Sequence, residues 1–462
     1  MIFIIPTRML STCSRTLLTR EVLSQTYNNV RRSFHQDTTF SKKFSLLTVS
    51  TKSSSIQSIQ SPFAKRNVAS LGKTQGYKLI QDMDTKHYEV IVVSPSTPLL
   101  ASSSVGTLEF RCILEPIRKY SPKIQFYQAY ADTIDLKQKI VYCTSNLERS
   151  KNKFSLNYDT LVIAAGANSN TFGIKGVGEN ALFLKDVSDA RRIRQRVIEC
   201  FEHAGQPNIT EQEAFGLLHF AVVGGGPTGI EFSAELHDFI TEDMARLYPD
   251  LINLVTMSVY DIAPQILGSF DQSLREFATK KFTRKGIKIR TGRKVKEVNE
   301  RKLIIEEDGE VPYGMLVWAT GLTDNPLTRS MGNQVVKDKS AKSYALGDCA
   351  SIQDYDLPAT AQVANQKAVY LRKVLTQIAK DNPIMDIKPF KFLNLGSMAY
   401  IGKKEAVVDM TPVSNKAIES GRLAWIFWRS AYFTMTVSLR NKMLIPMYWI
   451  LTWLFGRDIS RF

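Results

Sequence analysis

From about residue 66 the chain alternates short, unbroken apolar runs with longer stretches of mixed polarity. The runs YEVIVV (88–93) and YDTLVIA (158–164) place apolar side chains at consecutive positions, the pattern of strands covered on both faces. Residues 217–223 form a third run that leads straight into glycines, and 255–261 and 315–318 are a fourth and a fifth. Between them, 229–247 and 272–285 read as helices, and 186–204, rich in Arg and Glu, as a solvated helix. Residues 108–120 and a polar, strand-like stretch separate the first two runs. Strands alternating with helices over this length predict a doubly wound α/β fold, with two versions of one nucleotide-binding unit and no other internal repeat.

The two ends break this pattern. Residues 1–65 set Arg8, Arg15, Arg20, Arg31, Arg32, Lys42 and Lys43 against Glu21 and Asp37 alone, in a Ser/Thr-rich background. Such a stretch has too little apolar content for a core and reads as a targeting segment, while the apolar opening at 2–5 is too short for a secretory signal. Residues 421–462 mix Trp, Tyr, Phe and Leu with Arg and Lys. Their uncharged run, 443–455, falls short of the ~20 residues that a spanning helix needs. Aromatic and basic residues together suit helices lying in a membrane interface, with a buried core or dimer helix as the alternative.

A chain of 462 residues is too long for one ordinary core and implies two or three domains. The net charge of +16 is spread along the chain with an excess at both ends. A nucleic-acid binder would cluster its cations beside stacking aromatics, so targeting and an anionic membrane surface explain the charge better, and no nucleic-acid partner is expected. Cys13, Cys112, Cys143, Cys200 and Cys349 are far apart, with no CxxC pair. Neither a metal site nor disulfide-reductase chemistry is expected.

The strongest local signal is LHFAVVGGGPTGIEFSAEL, residues 217–236. Gly224, Gly226 and Gly229 match GxGxxG between a strand and a helix: a tight turn, an approach for pyrophosphate, and close helix–strand packing. The next strand ends at Asp261, whose carboxylate can bind ribose hydroxyls and repel a 2′-phosphate, favouring NADH over NADPH. AAGA (164–167) and ATGL (319–322) each follow an apolar strand, as where a chain crosses back over a nucleotide. YALGDCA (344–350) places Asp348 after a short strand, where it can accept from a ribityl chain.

Together and in this order, these stretches resemble the two-dinucleotide-site flavoproteins, in which an NADH domain is inserted into an FAD domain. The closer resemblance is to the type II (alternative, rotenone-insensitive) NADH:quinone oxidoreductases of mitochondria, especially fungal ones. It is carried by VVSP (92–95), TPLLASSSVGTLEFR (97–111), EPIR (115–118), TFGIKGV (171–177), FLKDVSDARRIR (183–194), LPATAQVANQKAVYL (357–371), NLGSMAYIG (394–402) and the final FGRDISRF. The resemblance implies FAD as cofactor, NADH as substrate and ubiquinone as acceptor. It places an FAD domain at 66–214 and 338–420, an NADH domain at 215–337, and a membrane-anchoring segment at 421–462. Cofactor contacts fall on Gly72, Gly76, Ser94, Pro95, Thr97, Pro98, Ala165, Gly166, Gly224, Gly225, Gly226, Pro227, Thr228, Gly229, Asp261, Ala319, Thr320, Gly321, Gly347, Asp348 and Ala361. Glu231 would sit at the nicotinamide–flavin contact, and Gln362 and Gln366 would face the flavin and the quinone headgroup. Family members are monotopic and often dimeric, which implies peripheral attachment to the mitochondrial inner membrane and a possible homodimer.

The chain departs from the family at the first glycine loop, NVASLGKTQGYKL, which lacks its middle glycine and is one residue short. The aromatic segment usual after Pro95 is also absent, and 330–343 looks shortened. These gaps predict weakened FAD binding. They leave open a catalytically dead, membrane-associated NADH-binding paralogue beside the quinone reductase, and a related reductase of the ferredoxin or apoptosis-inducing-factor kind as a third reading.

Overall fold

The structure, a computed structural model, describes residues 66–72, 79, 83, 86–95, 118, 124–147, 151–331, 343–380, 387–413, 418–435 and 439–457. The targeting segment, the contracted loop beyond Gly72 with Gly76, and Thr97, Pro98 and residues 332–342 lie outside the described residues.

Two parallel sheets organise the rest. The first is built from β1 (Arg66–Gly72), β2 (Tyr88–Ser94), β3 (Ile124–Asp135), β4 (Ile140–Ser145), β5 (Lys153–Asn157) and β6 (Thr160–Ala164). β1 is central, parallel to β2 on one side and to β6 on the other, with Ser343–Ala345 beyond β6. The chain therefore leaves the end of β1 at the switch point of a doubly wound sheet, where such folds bind ligands. β3 runs parallel to β2 and then continues as the first arm of an antiparallel β3–β4–β5 ribbon.

The second sheet is wholly parallel, in the order Ile287–Thr291, Thr256–Asp261, His219–Val223, Met315–Trp318, Leu182–Phe183. Side-chain alternation along its strands separates two layers. Phe220, Val222, Met257, Val259, Met315 and Val317 pack into a core shared with three helices: α1 (Val187–Ala204), α2 (Pro227–Phe239) and α3 (Gln272–Arg284). Ala221, Val223, Tyr260, Leu316 and Trp318 face the small antiparallel sheet Val295–Val298, Lys302–Ile305, Gly309–Pro312.

Leu182–Phe183 pairs with Val317–Trp318, and α1 covers the same sheet. α1 is less solvated than its charges imply: Ile193, Val197, Cys200, Phe201 and Ala204 form a buried stripe. α2 ends at Phe239 and passes into a π turn, Ile240–Met244, before Ala245–Leu247 continues. Nearly every residue of α2 is buried, because strand Ser397–Gly402 packs on the side away from the sheet. That strand pairs antiparallel with Glu405–Asp409, and Glu405–Asp409 with Ile418–Gly421. The chain continues into α5 (Arg422–Met435) and α6 (Leu439–Phe455), while α4 (Ala361–Ala379) lies earlier, against the first sheet.

Candidate functional site

The dinucleotide loop is built as its glycines require. Gly224 sits at φ 122°, and Ala319 and Thr320 lie against its α-carbon. Gly226 starts α2 with no side chain over the helix end, and Pro227 occupies the first turn. The first N–H groups of α2 are thus left for a ligand, at the positive end of a helix. Asp261, at the end of its strand, accepts from the backbone N–H of Gly225 through Oδ2 and from that of Ala263 through Oδ1 at 2.7 Å. Its carboxylate is thereby fixed beside the loop.

A second site lies at the edge of the first sheet. A cleft of about 200 Å³ is lined by Asp324, Gly347, Asp348, Thr360, Ala364 and Lys367, among others. Gly347 has φ 81°, and the 3-10 turn Gly347–Cys349 directs Asp348 to the cleft. The N-terminus of α4 opens on it, with Thr360 capping by accepting from Val363 N. Lys367 donates to Ala350 O at 2.9 Å, and burial holds its amine below the usual lysine range. Gly166, at φ 70°, faces open space. A small-residue wall, a carboxylate acceptor, a helix N-terminus and a buried amine match the polar chain of a flavin dinucleotide, so these residues fit FAD. Buried Ser94 and half-buried Pro95 close the adjoining strand end, and Ala165 joins it to Gly166.

The two glutamines do something the sequence did not reveal. Gln366 accepts from Leu393 N at 2.9 Å and donates to Leu393 O at 2.8 Å. Gln362 accepts from Leu395 N at 3.1 Å and donates to Gly396 O at 3.5 Å. One helical turn rises by about 5.4 Å and two extended residues by about 6.6 Å, so the pair grips alternate backbone positions as a neighbouring strand would. Ala361, in the first turn of α4, is exposed.

Glu231 is buried, and its Oε1 accepts from Tyr400 N at 3.0 Å and Trp428 Nε1 at 3.1 Å. The carboxylate therefore joins α2 to the C-terminal sheet and to α5. Tyr400 stacks on Trp428 at 5.3 Å and donates to Asp238 at 2.7 Å. Burial pushes the Asp238 carboxyl up, but His237, Lys285, Lys403 N and Tyr400 together outweigh that and hold it below the usual range. Further along, Arg457 donates to Asp243 at 2.5 Å and to Glu242 at 3.0 Å, and its backbone N–H donates to Asp243 at 3.0 Å. The FGR of the C-terminus is thus pinned to the π turn that follows α2. Trp428, Tyr400 and Arg457 were not among the expected site residues, although each lies in a stretch the sequence singled out: the aromatic 421–462 segment, NLGSMAYIG and the FGRDISRF end.

Glu235, between Glu231 and Asp238 on α2, has neither oxygen hydrogen-bonded among the described residues. Burial pushes its pKa up to about 8, helped by Asp238, Glu231 and Glu242 against the opposing pull of Arg457. The folded value exceeds the ordinary one, so the acid's contribution to stability is complete below pH 4.5 and is lost as pH rises through about 8. Glu235→Gln should therefore match the parent Tm near pH 4.5 and exceed it at pH 8.5. A lower Tm for the variant at both values would show that the carboxyl makes a bond an amide cannot.

The described cysteines are unpaired, and burial pushes the thiols of Cys143 and Cys200 up to about 12 and about 11. They are not thiolates at neutral pH.

Residues 64–368 match the family of pyridine nucleotide-disulphide oxidoreductases, and residues 394–458 match the NDH2 C-terminal domain. A probable NADH dehydrogenase of Dictyostelium discoideum is 41% identical over 406 residues, 84% of this chain and 89% of that protein. A mitochondrial internal alternative NAD(P)H-ubiquinone oxidoreductase A1 of Solanum tuberosum is 38% identical over 84% of this chain and 86% of its own length. The mitochondrial external alternative NADH-ubiquinone oxidoreductase of Yarrowia lipolytica is 35% identical, over 86% and 81%. The solved NDH2 of Plasmodium falciparum, in complex with NADH, superimposes with a TM-score of 0.79 at 26% identity, covering 86% of this chain and all of that one. Both halves of the polypeptide, the paired nucleotide sheets and the C-terminal sheet with its two helices, thus agree on one lineage, and the chain belongs to the type II NADH:quinone oxidoreductases of the pyridine nucleotide-disulphide oxidoreductase family.

Proposed function

We propose that the protein oxidises NADH and reduces ubiquinone, without proton pumping, as a peripheral enzyme of the mitochondrial inner membrane. The observation that carries this reading is the placement of α2. Its N-terminus is the dinucleotide cradle, its middle is fastened to α5 through Glu231, and the π turn after it holds the end of α6 through Asp243. The exposed apolar side chains of α5 and α6, including Leu423, Ile426, Met443, Ile450, Trp453 and Phe455, form the surface that would meet lipid and quinone.

FAD, when bound, would accept two electrons from NADH as hydride and pass them to quinone. Asp348, Gly347, Gly166, Ala165 and Ala361 would hold it at the first cleft, with Ser94 and Pro95 at the neighbouring strand end. Gln362 and Gln366 would position the 393–396 backbone beside it. Gly224–Gly229 and Asp261 would orient NADH, with Ala319, Thr320 and Gly321 at the crossover. Glu231 would hold α2 in register, keeping the nicotinamide end at the flavin. Residues 66–214 and 338–420 would serve mainly the flavin and 215–337 NADH; the α5–α6 face also leaves room for a homodimer. A pseudoenzyme remains the second reading, motivated by the missing glycine between Gly72 and Gly76.

One experiment tests the reaction and its donor. The purified protein, scanned for flavin and then assayed with a short-chain ubiquinone, should be yellow and should oxidise NADH at least about tenfold more efficiently in kcat/KM than NADPH, a difference of about 1.4 kcal/mol. Absence of flavin together with intact NADH binding would establish the pseudoenzyme. Equal kcat/KM for the two donors would remove the role of Asp261.

A further inference from the structure

Phe172 has no part in the reaction as described, yet the fold holds it in an unusual way. It follows strand Ala167–Ser169, which pairs antiparallel with Leu322–Asp324; the two strands are the crossings between the first and second sheets. Its side chain is 58% exposed and its backbone lies at φ 53°, a left-handed conformation that a bulky residue seldom adopts. Asn170 maintains it. Phe172 N donates to Asn170 Oδ1 at 2.8 Å, Asn170 N donates to Gly321 O at 3.3 Å, and Trp318 Nε1 donates to Asn170 O at 2.9 Å. Trp318 is fully buried at the end of a central strand, so the support is rigid.

The ring lies on Gly321. A Cβ there would stand 2.5 Å from Phe172 Cζ, and Gly321 itself has φ 73°, so the position admits only glycine without rearrangement. The two residues before it, Ala319 and Thr320, lie against Gly224 of the dinucleotide loop. An uncovered aromatic face is therefore held under backbone strain where the chain crosses between the two nucleotide cradles. Strain of this kind concentrates at functional positions, and a ring face suits another planar ring.

We propose that Phe172 is a positioning residue for NADH, its ring covering the nicotinamide half of the dinucleotide between the glycine loop and the first sheet. The proposal rests on the NADH reading above and deepens it. The pyrophosphate and adenosine half would lie on Gly224–Gly229 and Asp261, away from Phe172, so the ring should matter for NADH and not for ADP-ribose, which lacks nicotinamide.

The test is anaerobic equilibrium titration of the whole protein, any bound flavin first reduced with dithionite so that no hydride transfer can follow, with NADH and, separately, with ADP-ribose, for the parent, Phe172→Ala, Phe172→Gly and Phe172→Tyr. The glycine variant removes the ring while relieving the backbone strain, so loss of fold and loss of ring are separated. NADH should bind about tenfold more weakly, or worse, to the alanine and glycine variants. ADP-ribose affinity should be unchanged, and Phe172→Tyr should bind NADH as the parent does. Equal weakening of both ligands, or undiminished NADH affinity without the ring, would overturn the proposal. Because binding is read without turnover, a parent that binds NADH but reduces no quinone would overturn the proposed reaction alone.

Discussion

Replacing Ile450, Trp453 and Leu454 with glutamate together should release the protein from lipid vesicles while leaving NADH binding intact. The three side chains are 58%, 75% and 58% exposed on α6, so glutamate displaces nothing in the core. Each apolar side chain of this size is worth about 1.5–3 kcal/mol when buried, so the triple change should weaken partitioning about a thousandfold or more. No described helix is long and apolar enough to cross a membrane. Cosedimentation with vesicles of zwitterionic and anionic lipid measures the partitioning. Undiminished cosedimentation of the triple variant would put the anchor elsewhere. Truncation after residue 420 is a poorer test. Ala424 and Trp428 belong to the core that contains α2, and Trp428 donates to Glu231, so truncation removes folding energy as well as the anchor.

The second large effect separates two glycines of one motif. A Cβ on Gly226 would meet nothing within 4 Å, whereas one on Gly229 would stand 1.9 Å from Gly224 O. Gly226→Ala should therefore fold with the Tm of the parent yet lose NADH affinity by about a hundredfold. Its methyl occupies the approach of the pyrophosphate, and two charge-assisted hydrogen bonds at about 1.5 kcal/mol each correspond to that loss. Gly229→Ala should lose stability first, because strand and helix must part to admit the methyl. Thermal melts beside NADH titrations read both. An alanine at 226 that binds NADH normally would mean that the dinucleotide does not lie on this helix end.

The parallel strands were legible because burial on both faces leaves an unbroken apolar signature: 315–318 was read to the residue, and 255–261 and 217–223 to within two positions. The GxGxxG loop was legible because its spacing is set by backbone clearance, which the distances around Gly224 and Gly229 reproduce. Periodicity read the interior of α2 but not its end. The π turn at Ile240–Met244 coincides with Asp243 receiving Arg457, more than two hundred residues later in the chain.

The sequence by itself determined where chain turns through glycines from strand to helix, which strand ends carry carboxylates, and that the C-terminus is apolar and aromatic. These are consequences of local sterics and period, and each window of chain expresses them independently. Only the tertiary structure decided the partners of the polar side chains. Gln362 and Gln366 grip a backbone segment, Glu231 fastens two helices, Glu235 is left as a buried acid, and Phe172 stands over Gly321. Hydrogen-bond partners separated by tens to hundreds of residues leave no trace in spacing, because what brings them together is the packing of whole elements rather than the pattern within any one of them.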